Sequence, residues 1–140
     1  HLLHQSPPVL RIDNFFTKED CEVIKAATST AHQVNSATFT GALSTRTSTS
    51  WFCRFEDVPV LLAKANRVLN IPLEAMEEPQ VVRYQQGQEF SWHYDEVPAS
   101  QLSNGGQRIA TLLVYLNDLA ATEDCGGGTA FRDLFLADKK

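Results

Sequence analysis

Apolar residues in the first half of the chain recur with helical spacing at two places. In residues 17–28, TKEDCEVIKAAT, the side chains of Cys21, Ile24 and Ala27 fall on one helical face, and Thr17 with Asp20 forms a capping box. Residues 58–70, VPVLLAKANRVLN, repeat apolar residues at i, i+3, i+4 and i+7. Those residues are Val58, Leu61, Leu62, Ala65, Val68 and Leu69. The pattern predicts two amphipathic helices.

The other apolar segments are short and have the composition of strands. Residues 7–16 predict a short strand that enters a turn, and residues 49–55 predict an aromatic strand. Between the two, residues 28–50 predict a long polar connection with an edge strand near 37–40. Four more strand candidates follow Pro72, namely QVVRYQQG, FSWHYDEV, RIATLLVYLND and GTAFRDL. Helices followed by short strands predict an α+β fold with a mostly antiparallel sheet that forms a sandwich or barrel.

Composition limits the possible functions. The 140 residues, 43% apolar and 21% charged, are typical of one globular domain. Twelve basic against seventeen acidic residues give a net charge of −5, which favours neither nucleic acid nor an anionic membrane as a partner. No apolar run is long enough to predict a transmembrane helix. Cys21, Cys53 and Cys125 form no CxxC pair, so we predict buried or free thiols, with one disulfide as the alternative, and the compartment stays open.

A His and an Asp lie two positions apart in residues 89–97, EFSWHYDEV. On a strand the positions i and i+2 share a face, so His93 and Asp95 can bind one metal ion, or they form only a local ion pair. One imidazole and one carboxylate are two-thirds of the 2-His-1-carboxylate set of non-haem Fe(II) oxygenases, and a zinc hydrolase can use similar ligands. The glycines at 126–128 lack the Lys-Ser or Lys-Thr of a phosphate-binding loop, and no nucleophile elbow is present.

Four segments occur in an order that is familiar from one enzyme family. They are RTSTSWF at 46–52, VVRYQQGQEFSWHYDEV at 81–97, GGQRIATLLVYLND at 105–118 and CGGGTAF at 125–131. Together they resemble the prolyl 4-hydroxylase family of 2-oxoglutarate- and Fe(II)-dependent dioxygenases. The resemblance implies a double-stranded β-helix (jelly-roll) core with supporting N-terminal helices. It also implies 4-hydroxylation of proline in a peptide or protein, with Fe(II), 2-oxoglutarate and ascorbate as the reductant.

The resemblance also implies roles for individual residues. His93 and Asp95 would be two iron ligands. Tyr84, Thr111 and Tyr115 would bind 2-oxoglutarate. The residues that would contact the peptide are Arg46, Ser48, Glu77 (or its neighbour Glu78), Trp92 and Arg108. At position 90 the family often has Tyr, whereas this chain has Phe and therefore lacks one hydroxyl group.

The main departure from the family lies after residue 131. In the family a second His and then a basic residue follow, whereas no His follows Asp95 here. We therefore expect residues 1–140 to be a single oxygenase domain that is truncated and lacks the family's final strands. On this expectation these residues alone do not hydroxylate proline, while a longer form does. The alternatives are an oxygenase of the same class with another protein target, and an inactive module that binds Pro-rich peptides.

Overall fold

The computed structural model describes residues 1–35, 46–119 and 125–134, and its regular elements are short. The strands β1 to β5 are Leu2–His4, Val9–Leu10, His32–Asn35, Thr49–Phe52 and Gln80–Arg83, and the α-helices α1 and α2 are Lys18–Ala26 and Pro59–Leu69. Single 3₁₀ segments occupy Ala27–Ser29, Phe55–Asp57, Leu73–Ala75 and Ala99–Asn104. The described part of the chain is a small α+β structure with antiparallel sheets, as predicted.

Helix α1 begins where the sequence predicts. The hydroxyl of Thr17 accepts a hydrogen bond from the Asp20 amide at 3.1 Å, and the Asp20 carboxylate accepts one from the Thr17 amide at 3.0 Å. This capping box satisfies two backbone N–H groups that the first helical turn leaves without partners. Ile24 and Ala27 are buried and Cys21 is half-buried, so the predicted inner stripe is correct.

Helix α2 also forms as predicted, with one error in its buried face. Its first residue is Pro59, whose missing N–H costs nothing at a position where no intrahelical partner exists. Leu62 and Ala65 are buried, and so is Val58 immediately before the helix. Val68 was assigned to the same stripe but is exposed. The buried face is therefore narrower near the C-terminus of the helix than the apolar spacing indicates.

The three-stranded sheet has the order β3-β4-β5, and both pairs are antiparallel. Residues 32–35 lie in the segment that was predicted to be a connection, so that prediction was wrong there. Hydrogen bonding to β4 makes this polar segment a strand, because pairing outweighs weak intrinsic preference. The edge strand predicted near 37–40 lies outside the described residues. The short strand predicted within 7–16 is formed by Val9–Leu10.

The hydrophobic core joins α1 to the sheet and to the start of α2. Its buried members are Ile24, Ala27, Cys53, Val58 and Val81. All three cysteines are free thiols, as predicted. Burial raises the pKa of the Cys53 thiol, and a nearby carboxylate adds to the effect, so this thiol is a packing residue.

Strands were also predicted over residues 90–97, 108–118 and 128–134, and the structure does not contain them. Among the described residues these segments make only one isolated bridge, between Arg46 and Phe90. The side chains still alternate, because Leu112, Val114 and Leu116 are half-buried while the residues between them are exposed. Residues 111–116 thus have the alternation of a strand, but no neighbouring strand pairs with them among the described residues. In the described part of the chain, no helix has the length and apolar character needed to cross a membrane.

Candidate metal centre

His93 and Asp95 approach each other on an irregular segment that follows β5. The imidazole Nε2 lies 3.2 Å from the carboxylate Oδ1, and both side chains are partly exposed. The two side chains therefore share one side of the segment, as their spacing predicts, although the segment itself is not a paired strand. Hydrogen bonds from other segments, rather than a sheet, have to hold them in place.

The outer atoms of this pair already have partners. His93 Nδ1 lies 2.8 Å from the carbonyl oxygen of Ser91, and a carbonyl can only accept, so Nδ1 carries the hydrogen. The Thr111 hydroxyl donates to Asp95 Oδ2 at 2.7 Å. Nε2 and Oδ1 are thereby aimed at each other. Two donor atoms that face each other in this way can both bind one metal ion.

The donor pair fits a metal ion. Neighbouring N and O ligands at about 2.1 Å from a metal lie roughly 3 Å apart when they meet at a right angle, close to the separation of Nε2 and Oδ1. A fixed outer hydrogen bond on the ligating imidazole is common in metal sites. Among the described residues no group of three His, Cys, Asp or Glu side chains could hold a metal, so His32 does not complete this pair.

Aromatic stacking adds a further constraint on His93. The rings of Phe90 and His93 are stacked, with their centres 3.5 Å apart and an angle of 13° between their planes. The guanidinium carbon of Arg46 lies 5.0 Å from the centre of the Phe90 ring, and Arg46 Nε donates to the buried Ser48 hydroxyl at 2.9 Å. In this chain Phe90, Arg46 and Ser48 therefore support His93.

Arg108 connects its own segment to Glu77 and to the backbone of Asp95. Its Nη2 donates to Glu77 Oε2 at 2.8 Å, its Nε contacts Oε1 of the same carboxylate, and its Nη1 donates to the Asp95 carbonyl at 3.0 Å. Glu77, rather than Glu78, is thus the acidic partner of this arginine. The hydrogen bonds from Arg108 lower the pKa of Glu77, while burial and the Asp95 charge oppose them more weakly.

The other residues singled out in the sequence are Tyr84, Tyr115 and Trp92. Tyr84 follows β5 and is exposed, and the Tyr115 hydroxyl lies 2.7 Å from the Thr129 hydroxyl. Trp92 stacks with the guanidinium group of Arg132, whose carbon lies 5.6 Å from the ring centre. Tyr94, two residues after Trp92, donates a hydrogen bond to Asp133 Oδ2 at 3.1 Å. Trp92 and Tyr94 therefore hold residues 132–133, while His93 and Asp95 contact other groups.

Sequence reasoning missed two supporting residues. Phe90 was noted only for its missing hydroxyl, and an aromatic residue three positions before a His carries no signal of stacking. Gln107 was not singled out, although it follows two glycines at the end of a turn. The signal available for Gln107 was the pair of glycines just before it, since such a pair allows the chain to reverse direction.

Comparison with known proteins extends this local picture. Residues 79–139 match the sequence model of the 2OG-Fe(II) oxygenase superfamily. Through these residues the chain is similar to that superfamily. Prolyl 4-hydroxylase 5 of Arabidopsis thaliana is 37% identical over 134 residues, covering 89% of this chain and 45% of the relative. Prolyl 4-hydroxylase 1 of the same plant is 32% identical over 137 residues, covering 90% of this chain and 47% of the relative.

The chain thus spans about half the length of the curated relatives it matches. No solved structure gives a significant match. The matched segment contains His93, Asp95, Thr111 and Arg108, so the whole hydrogen-bonded pair and most of its support lie within it. Glu77 and Arg46 support it from outside the match.

A substitution at Thr111 tests whether its hydroxyl holds Asp95 in place for a metal ion or contacts 2-oxoglutarate. Thr111→Val removes the hydrogen bond to Asp95 and should weaken Mn(II) binding about 10-fold, because partners of ligating groups contribute to metal affinity. Electron paramagnetic resonance of Mn(II) measures that affinity. Thr111→Ser keeps the hydroxyl and should bind as the wild type does. An unchanged Mn(II) affinity with a raised KM for 2-oxoglutarate would assign the hydroxyl to the co-substrate instead.

The ion pair between Glu77 and Arg108 should make the stability of the centre depend on pH. Because the pKa of Glu77 is lowered in the folded protein, the pair stabilises at neutral pH, and this contribution is lost as pH falls through the lowered pKa. Above about pH 5, the free energy of unfolding in urea should be higher for the wild type than for Glu77→Gln by a constant amount. That amount should be under about 1 kcal/mol, because the pair is exposed. The difference should shrink as pH falls below about 4.5 and vanish once Glu77 is protonated in the folded protein as well. Glu78→Gln is the matched control, and an identical pH profile for both variants would contradict the assignment.

Proposed function

We propose that this chain contributes the metal-binding part of a 2-oxoglutarate- and Fe(II)-dependent enzyme that hydroxylates C4 of proline in a peptide or protein. The observation that carries the proposal is the pair of His93 Nε2 and Asp95 Oδ1, 3.2 Å apart with their outer atoms held, inside a segment that matches the oxygenase superfamily. The relatives named prolyl 4-hydroxylase support proline as the target.

The iron and the co-substrate define what the chain has to hold. When bound, Fe(II) lets dioxygen split 2-oxoglutarate into succinate and carbon dioxide, with one oxygen atom passing to the succinate and the other to the proline carbon. His93 and Asp95 supply two ligands on one side, which leaves positions for the co-substrate and dioxygen. Tyr84, Thr111 and Tyr115 are proposed to hold 2-oxoglutarate, and ascorbate is the proposed reductant.

The peptide is proposed to lie over the side of the centre formed by Arg46, Ser48, Glu77, Trp92 and Arg108. Arg108 already donates to Glu77 and to the Asp95 carbonyl, so a peptide carbonyl would have to use its remaining N–H groups. A Pro-rich peptide suits such a surface because it is extended before it binds and loses little entropy. In this arrangement the residues that contact substrate also hold a metal ligand, which would couple peptide binding to the geometry of the centre.

The fold proposed for the whole site is a jelly roll, with residues 1–140 belonging to one oxygenase domain. The match of residues 79–139 to the oxygenase superfamily supports it, and so does the alternating exposure along residues 111–116. In a jelly roll, residues of that alternation would line the inside of a sheet. The side chains that alternate outward in this structure are Thr111, Leu113 and Tyr115.

A turnover assay on the full-length protein tests the proposal. With Fe(II), 2-oxoglutarate, ascorbate and a Pro-rich peptide, succinate should form only when the peptide is present, and mass spectrometry should find one added oxygen atom on a proline. The same peptide with Ala in place of every Pro is the control. Peptide binding without succinate would favour an inactive binding module, and succinate formed with another protein target alone would favour a different oxygenase.

A further inference from the structure

A short loop directly follows the Asp95 segment and returns to it. It contains the 3₁₀ segment Ala99–Asn104 and ends in Gly105 and Gly106, whose φ angles are 137° and 88°. Side chains other than hydrogen are strained at such positive φ values, so the two glycines allow a reversal that other residues would resist. The reversal brings residue 107 next to residue 97.

The Gln107 side chain closes this loop. Its Oε1 accepts hydrogen bonds from the amide of Val97 at 2.7 Å and from the amide of Arg108 at 2.9 Å, and its Nε2 donates to the Val97 carbonyl at 3.2 Å. The carboxamide thereby satisfies both backbone groups of Val97, which is what a neighbouring strand does in a sheet. Among the described residues no strand pairs with residues 91–98, so the side chain takes the place of one.

Arg108 acts on the same segment two residues earlier. Its guanidinium donates to the Asp95 carbonyl at 3.0 Å and is itself held by Glu77. The consecutive side chains of residues 107 and 108 therefore form hydrogen bonds with the backbone of residues 97 and 95, which lie on either side of Glu96. The Thr111 hydroxyl adds a contact to the Asp95 carboxylate. Backbone and side chain of the metal ligand are thus held separately.

We propose that Gln107 is a positioning residue for Asp95: its carboxamide fixes the backbone at Val97 and so sets where the carboxylate meets the metal. The inference rests on the proposed function, because it requires Asp95 to be a ligand. A ligand has to stay within about 0.5 Å of its productive position, and a segment without strand pairing cannot do this through its own backbone. Gln107 does not touch the metal or the substrate in this role.

The test uses three variants of the full-length protein. Gln107→Met keeps the length of the side chain and removes all three hydrogen bonds, whereas Gln107→Glu keeps the accepting oxygen and loses the donor. Gln101→Met, at an exposed position of the same loop, is the matched control. Hydrogen exchange at the amides of residues 97 and 108 reports the closure of the loop, and electron paramagnetic resonance of Mn(II) reports the affinity of the centre.

The inference expects a graded result. Gln107→Met should speed exchange at both amides and weaken Mn(II) binding about 10-fold, Gln107→Glu should lie between it and the wild type, and Gln101→Met should change neither. The urea midpoint of each metal-free variant should stay near the wild-type value, which separates positioning from loss of folding.

Three other results would overturn the inference, and they can be told apart. If Gln107→Met speeds exchange while its Mn(II) affinity equals that of a wild type that binds well, the loop does not position Asp95. If the wild type binds Mn(II) no better than a His93→Ala, Asp95→Asn double variant, the proposed metal function fails and the inference falls with it. A collapse of the urea midpoint in both Gln107 variants would make the role structural and would also overturn it.

Discussion

Replacing His93 with Ala should weaken binding of Mn(II) or Fe(II) by more than about 100-fold and abolish peptide-dependent succinate formation in the full-length protein. Loss of a partner that only supports a ligand already costs 10–100-fold in affinity, and loss of the ligand itself costs more. The substitution removes the Nε2 that faces Asp95 and leaves one carboxylate oxygen as the donor here. Fe(II) also stands low in the affinity order of divalent metals, so a lost imidazole has a large effect.

His32→Ala is the matched control for this result. His32 lies on β3 opposite Phe52, and it does not form a metal-binding group with the pair in the described part of the chain. Its removal should leave metal affinity unchanged. If His93→Ala binds Mn(II) as well as the wild type, the contact between His93 and Asp95 is a local ion pair, the alternative that the spacing alone left open.

Two donors do not complete a site of the 2-His-1-carboxylate type. In the stretches of chain that the structure describes, no third His, Cys, Asp or Glu joins them. The expectation that the 140 residues alone do not hydroxylate proline stays a prediction. The turnover assay, run on residues 1–140 by themselves, decides it.

Sequence reasoning succeeded where the determinants are local. Helix α1 was predicted because a capping box and an apolar stripe lie within a dozen residues, and both features act on neighbouring turns. The i, i+2 spacing of His93 and Asp95 is local in the same sense. It predicted a shared side that the structure retains without a strand, because alternation belongs to the extended backbone itself.

Sequence reasoning failed where a distant partner decides the structure. A strand exists only with a neighbour, and neither the presence of β3 nor the absence of pairing along residues 108–118 follows from composition. The supports of the centre are distant as well. Arg108 and Glu77 are separated by 31 positions, and no local pattern relates them. The family resemblance named both residues, but as contacts of a peptide, whereas the structure joins them to each other.

Ile24→Ala should lower the free energy of unfolding by about 3 kcal/mol, because it opens a cavity among residues that cannot close it. Ile24 is 2% exposed and packs in the core cluster with Cys53, Val58 and Val81. Urea unfolding should show a lower midpoint with an unchanged slope. Val23→Ala, at the exposed neighbouring position of α1, is the control and should lie within about 0.5 kcal/mol of the wild type.

Ile24→Ala should also affect the metal centre. Leu116 packs against the core cluster that contains Ile24, and it lies on the segment that carries Arg108 and Thr111. A cavity at Ile24 should therefore speed hydrogen exchange along residues 112–116, while Val23→Ala leaves it unchanged. A loss under about 1 kcal/mol with unchanged exchange there would mean that α1 does not support this segment. The centre would then depend on the hydrogen bonds from Gln107, Arg108 and Thr111 and on the stacking of Phe90.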